Sequence, residues 1–276
     1  MRLCWFDQAR LGVVRGTQVH DVTGALDGLA AADGTSGDTV ITHLDVLRDR
    51  IESLWATAPR LDVERVRLRS PIANPPRVIA VRSNYSGVER VAANAAVAAP
   101  DLFLKATTSV AGPADGLELR FPGRRTDHEV ELAVVIGRRV DRVRPADALD
   151  CVAGYCIAID FTLRGDEDRG LRKSLDGYTM LGPWLTTPDE AGEIADLAVS
   201  LQVNGVARQA GSTRDMIFDV SAIVAHASQY FSLRPGDVIL TGTPPGAGPV
   251  AAGDTLRCAI SNLGEMSVLV RDATSR

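Results

Sequence analysis

Two glutamates one residue apart, Glu129 and Glu131, open the apolar run from Val130 to Ile136 in the stretch TDHEVELAVVIG. Alternate side chains of a strand share a face, so both carboxylates would project from nearly the same place. Asp160 closes a second apolar run, GYCIAID, on the strand face that also carries Cys156 and Ala158. Those neighbours are small and leave room for an ion. Three carboxylates brought together raise one another's pKa unless a cation compensates. All-oxygen donors select a hard ion such as Mg²⁺, Mn²⁺ or Ca²⁺ over zinc, and three protein ligands leave positions open to water and substrate. By spacing alone, a solvated strand end or an ordinary ion pair is the commoner meaning of E-x-E.

The elements that must position these groups are mostly short strands. RVIAVRSN, LFLKA, VELAVVIG, CVAGYCIAID, LAVSLQVNG, DVILTG, TLRCAI and MSVLVRD are strand-like, with no regular alternation of strand and helix. That pattern predicts a mostly β protein with some α, a rolled or sandwiched mixed β-domain rather than a doubly wound sheet. Residues 1–70 predict a small N-terminal α+β module, with Leu44, Leu47, Ile51 and Leu54 as one helical stripe. The proline-rich SPIANPPR leads into the main domain, 71–276. A long helix is expected within STRDMIFDVSAIVAHASQYFSL, with the stripe Met216, Val220, Ile223 and Ala227, a cap at Ser212 or Thr213, and an end at Pro235-Gly236.

Composition narrows the partners. The 276 residues are 45% hydrophobic with a net charge of −5, which argues against nucleic acid and anionic membranes and for small molecules. No run approaches the length of a spanning helix and the opening MRLCWFDQAR lacks a signal-peptide core, so a cytoplasmic protein is expected. Cys4, Cys151, Cys156 and Cys258 lack CxxC pairing and are expected to be buried free thiols. The turn GTPPGAG lacks the P-loop pattern, so a carboxylate fits it better than a nucleotide phosphate. The strand pleat would put His128 opposite Glu129 and Glu131, as a structural histidine.

The segments DHEVEL, AIDFTLRG, RKSLDGYTMLGPW, VNGVARQAGSTRDMIF and LRPGDVILTGTPPGAG occur in this order. Together they resemble the fumarylacetoacetate hydrolase family, from about Arg77 to Asp272, in the branch of 2-hydroxyhepta-2,4-diene-1,7-dioate isomerases and acylpyruvate hydrolases. The resemblance implies a divalent ion held by Glu129, Glu131 and Asp160, with Asp127 completing D-x-E-x-E. It implies catalytic cations at Lys173, in K-S-x-D with Asp176, and at Arg164. It also implies substrate contacts from Thr243 of the G-T-P turn, Gln209 after V-N-G, Lys105 of F-x-K and Tyr85 of the N-Y segment. The implied substrates are 2-oxo acids or 1,3-dicarbonyls that chelate the ion, which acts as a Lewis acid on an enolate. A homodimer is implied as well.

The sequence departs from the family in two places. Many members carry N-Y-x-D-H-x-x-E on a lid; SNYSGVERVAAN keeps Asn84 and Tyr85 but has Gly87, Val88 and Val91 at the Asp, His and Glu positions. Glu89 lies one residue out of register. The segment after Asp160 is short, and R-D-x-Q becomes RGDE, with Gly165 and Glu167 in the variant places. Without the dyad that activates water, keto–enol or double-bond isomerisation of a 2-hydroxyhepta-2,4-dienedioate type is the expected activity. The alternatives are an acylpyruvate-type C–C hydrolase or oxaloacetate-type decarboxylase, and a non-catalytic relative that keeps the ion as a structural staple.

Overall fold

The computed structural model describes residues 1–31, 37–87 and 99–273. Val88, Glu89 and Val91, the lid positions singled out in the sequence, lie outside the described residues.

The chain is mostly β. Among the described residues its largest sheet has 11 strands. At the centre Val130–Ile136 runs antiparallel to Val152–Asp160, which in turn pairs with Thr179–Thr186. Both faces of Val130–Ile136 are buried. Val130, Leu132, Val134 and Ile136 enter one core, while Ala133 and Val135 enter another. The first core lies against a five-stranded sheet that contributes Val199, Leu201, Leu256, Val268 and Val270, and against helix residues Ile223, Val224 and Ala227. A run buried on both sides reads as continuously apolar, so the two acidic residues at its head stand out.

The N-terminal segment joins the same large sheet. Arg2–Phe6 pairs antiparallel with Thr179–Thr186, and the strands Arg10–Arg15, Gln18–Asp21 and Arg60–Asp62 continue outward from it. Leu3, Leu11 and Val13 share the second core with Leu47 and Ile51 of the helix Leu44–Leu54. The apolar stripe of that helix therefore has the use its spacing suggests. All four cysteines are buried and free. Among the described residues, no helix is long and apolar enough to cross a membrane.

The second helix corrects the sequence-based expectation. It spans Val220–Tyr230 and is capped by Asp219, whose side chain accepts from Ala222 N; Ser212 instead caps a short turn at Thr213–Asp215. Asn84 is the physical reason. Its backbone carbonyl accepts from Ile217 N at 2.7 Å, and its side chain takes Phe218 N at 2.9 Å and returns a bond to Phe218 O at 2.9 Å. The segment around Met216 is thereby held extended, against the helical period. The helix also stops before Pro235-Gly236, at the extended residue Phe231.

Candidate active site

Glu129 is not inside a strand. Thr126–His128 belongs to a three-stranded sheet with Thr162–Leu163 and Gly248–Val250, and Val130–Ile136 to the large sheet, so the chain changes sheets at Glu129. The neighbouring chain makes the same change just after Asp160. Register then brings the acids together: Glu131 lies opposite Ala158, and Asp160 N donates to Glu129 O at 2.8 Å. One carboxylate oxygen from each of Glu129, Glu131 and Asp160 lies within 4.8 Å of the others. Glu131 and Asp160 face the same way as Ala133, Ala158 and Cys156, the small residues of the second core.

Cations surround this cluster. Lys173 Nζ donates to Glu129 Oε2 at 2.7 Å and to Asp160 Oδ2 at 2.6 Å. Lys105 Nζ, fully enclosed, donates to Asp160 Oδ1 at 2.5 Å and to Tyr178 O at 3.0 Å. Arg164 Nε donates to Asp127 Oδ2 at 2.7 Å, and its Nη2 lies 3.5 Å from Glu129 Oε1. Asp127 also accepts two bonds from Arg125. Among the described residues Glu131 has no such partner and accepts only the backbone N–H of Gly242, at 2.7 Å. Burial and the neighbouring Asp160 charge push its carboxyl well above the ordinary range. For Asp160 burial acts upward too, but Lys105 and Lys173 outweigh it and hold the carboxyl low. Burial alone would lower Lys173, and the charges of Asp160, Glu129 and Glu131 overcome it and keep the ammonium above its usual range. Lys173 thus stands as a cation against Glu129 and Asp160.

The G-T-P turn builds the adjoining wall. Gly242 has φ of +96°, and a Cβ there would meet Asn84 Cβ at 2.9 Å, so glycine is required for its N–H to reach Glu131. Thr243 lines the cavity, but its hydroxyl is committed, donating to Val130 O at 2.7 Å and accepting from Gln209 Nε2 at 2.8 Å. Gln209 also donates to Pro244 O and accepts from Val130 N and, at 3.0 Å, from His128 Nδ1. It braces the turn from behind. His128 is buried, and burial lowers its pKa, as a structural histidine.

The cavity has a volume of about 380 Å³. Glu129, Glu131 and Asp160 line it together with Arg164, Lys173 and Thr243, so most of the residues marked from the sequence converge. Lys105, Gln209 and Tyr85 do not line it. Lys105 contacts Asp160 instead, and the buried Tyr85 hydroxyl is close enough to feel Glu131, whose charge adds to burial in raising its pKa. Asp176 points away, to Arg120 at the surface. Sequence reasoning missed Arg82, Ser83, Phe103, Thr162, Arg169 and Arg172 in the lining. Arg82 and Ser83 sit beside the recognised Asn84-Tyr85, and Ser83 has φ of +50°, a strained conformation of the kind that gathers at functional sites. Arg169 and Arg172 lie in the shortened segment, whose density of arginines was the available signal.

The fumarylacetoacetate (FAA) hydrolase C-terminal family model matches residues 77–271. With that match over most of its length, this chain belongs to the fumarylacetoacetate hydrolase family of enzymes. It is 45% identical over 285 aligned residues to a maleylpyruvate hydrolase from Aquipseudomonas alcaligenes, covering 98% of this chain and 99% of the relative. Its fold is similar to that of a maleylpyruvate hydrolase from Sphingobium sp. SYK-6 solved in complex with manganese(II) ion and pyruvate. There the TM-score is 0.86 at 37% identity, covering 99% of this chain and 100% of that one. A 2-hydroxyhepta-2,4-diene-1,7-dioate isomerase from Mycobacterium marinum is more distant, with a TM-score of 0.75 at 28% identity, covering all of both chains.

Proposed function

We propose that this protein is a divalent-cation-dependent hydrolase of acylpyruvates, cleaving the carbon–carbon bond between an acyl carbonyl and the pyruvate methylene. The observation that carries this reading is the cluster of Glu129, Glu131 and Asp160 with Lys173 on one side of an arginine-lined cavity. The similarity to maleylpyruvate hydrolases supports hydrolysis over the isomerisation expected from the sequence.

The donor set fits a hard ion. Three carboxylates converge, and Glu131 is held in an environment that disfavours its charge unless a cation stands nearby. Glu129, Glu131 and Asp160 would hold Mn²⁺ or Mg²⁺. When bound, the ion supplies Lewis acidity to the oxygens of a 2-oxo acid. The chain's own groups do the rest. Lys105 fixes Asp160 from beneath, and Arg164, anchored by Asp127, lends positive charge where oxyanions develop. Water adds to the acyl carbonyl, and the bond to the methylene breaks with its electron pair leaving on that carbon. The Lys173 ammonium is placed to return a proton there, and a carboxylic acid and pyruvate result. Glu89, the carboxylate nearest in sequence to the family's missing dyad, is proposed as the base that takes the proton from water.

Residues 71–276 are proposed as the catalytic part and 1–70 as its scaffold, in a cytoplasmic homodimer. The exposed Leu104 and Leu171 beside the cavity support self-association, and light scattering would test it. The decisive experiment incubates the Mn²⁺-loaded protein with maleylpyruvate, acetylpyruvate and 2-hydroxyhepta-2,4-dienedioate, with products read by NMR. Two acids from an acylpyruvate support hydrolysis. Intact acylpyruvates with a shifted dienedioate double bond would restore isomerisation.

A further inference from the structure

A second cavity, of about 510 Å³, lies where the N-terminal segment meets the rest of the chain. It shares no lining residue with the active cavity, and its volume falls within the range of small-molecule sites. Trp5, Ala9, Ala73, Val110 and Ala111 give it an apolar wall, while Gln8, Arg69, Ser70 and Asp115 supply polar groups. Most of those groups are already spent. Ser70 Oγ donates to Ile72 O at 2.8 Å, and Asp115 Oδ2 accepts the backbone N–H of Gly112 at 2.9 Å. Two donors are not. Arg69 is exposed and its Nη1 reaches only a carbonyl, Asp7 O at 3.4 Å, with no carboxylate in ion-pair contact among the described residues. The Trp5 indole Nε1 is enclosed and has no hydrogen-bond partner, although a buried indole N–H ordinarily finds one. A cation and a donor thus border an apolar space that supplies neither with an anionic acceptor.

The backbone around this space is tightly fixed. Arg69 N donates to Trp5 O at 2.9 Å. A Cβ on Gly112 would stand 2.1 Å from Ser70 N, so the turn after the strand Val110–Ala111 packs directly on the backbone of Arg69 and Ser70. Ala9 has φ of +62°, a left-handed conformation that alanine rarely takes and of the kind that gathers at ligand sites. On its inner side the cavity is two strands from the ion ligands: Val110 lies opposite Thr179, and Thr179 opposite Asp160.

From these observations we propose that this cavity is a second ligand site, separate from the reaction centre, for a small monocarboxylate with a planar apolar body. The carboxylate meets Arg69, a guanidinium suited to two parallel bonds to such a group. The ring lies against Trp5, Val110 and Ala111, where stacking on an indole favours a flat ring over a branched chain. The site stands independently of the acylpyruvate reading, since it uses none of the groups assigned to that chemistry.

Benzoate is the probe, and benzamide, of the same shape without the charge, is its control. Each is titrated into the full chain, with and without Mg²⁺, while ¹⁵N-resolved NMR follows the indole N–H signals; the Trp5 signal is the one missing from Trp5→Phe. Benzoate should move that signal with a Kd of about 0.1–1 mM, about tenfold tighter than benzamide, as for one charge-assisted contact near the surface. Arg69→Gln, at an exposed position, should bring the two ligands level. Ala73→Leu, also exposed and projecting into the cavity, should weaken both. Mg²⁺ should leave the benzoate affinity unchanged. The proposal is overturned by a Trp5 signal that stays still up to about 10 mM benzoate, by equal binding of the two ligands to the wild type, or by a benzoate preference that survives Arg69→Gln. Binding that requires Mg²⁺ overturns it too, because it places benzoate at the carboxylate cluster.

Discussion

Lys173 Nζ lies 2.6 Å from Asp160 Oδ2, inside the carboxylate cluster whose acidic residues the sequence marks as a cation site. The lysine thus shares two of the three prospective ion ligands, and its ammonium competes with the ion for them.

Lys173→Met should therefore separate binding from chemistry. Removing the competing cation frees Glu129 and Asp160, so Mn²⁺ affinity by calorimetry should hold or rise. Turnover of acylpyruvate should fall by about 10²- to 10⁴-fold, as for loss of a proton-transfer group. Loss of Mn²⁺ affinity with turnover retained would reverse these roles.

Glu131→Gln should have opposite effects with and without the ion. Glu131 is only 2% exposed and its folded carboxyl is pushed well above the ordinary value. A raised folded pKa gives stability that is present below the unfolded value and lost as pH rises through the folded one. The ion-free wild type should therefore lose stability toward alkaline pH, and the glutamine variant should lose less. In Mn²⁺ the order inverts: wild type gains about 2.7 kcal/mol at a hundredfold excess over Kd by mass action, and the variant gains little. Thermal melts at pH 6 and 8, with and without Mn²⁺, check both halves.

Asp127→Asn should weaken the fold and loosen Arg164 together. Burial alone would raise this carboxyl, but the bonds from Arg125 and Arg164 outweigh it and hold it below the ordinary range. Its contribution is present above the unfolded value and lost as pH falls through the folded one. Because both arginines are about half exposed, screening limits the cost to about 1–3 kcal/mol. Urea titrations should show the difference between wild type and variant at pH 7 and its shrinkage near pH 3.

Gln209→Leu tests whether this residue braces the G-T-P turn rather than touching substrate. The substitution leaves Val130 N–H and Pro244 C=O without their side-chain partner, at a cost of about 2–4 kcal/mol in urea unfolding. A fall in stability accompanied by a raised KM fits a brace behind Thr243. A raised KM with stability untouched would place the amide in direct contact with the substrate.

Much of the site was legible in one dimension. Glu129, Glu131, Asp160, Lys173, Arg164 and Thr243 all line one cavity, because acids at the heads of apolar runs stand out and strand parity assigns them a face. Lys105, Gln209 and Tyr85 were marked as substrate contacts, yet they support the cavity from outside its lining. A motif position does not say whether a side chain ends in the cavity or just behind it. Arg82 and Arg169 went unmarked because arginine is ordinarily a surface residue, and nothing local shows that two distant segments close on one wall.

By itself the sequence determined the abundance of strands, the buried thiols, the Leu44–Leu54 helix stripe and the identity of the acidic cluster, all set by short-range periodicity and residue chemistry. Only the tertiary structure decided that the chain leaves one sheet for another at Glu129 and that Arg2–Phe6 completes the main sheet beside Thr179–Thr186. It also decided that the segment before Val220 runs extended on Asn84 instead of coiling. Those outcomes depend on hydrogen bonds between residues far apart in the chain, which satisfy buried polar groups more strongly than local propensity can oppose.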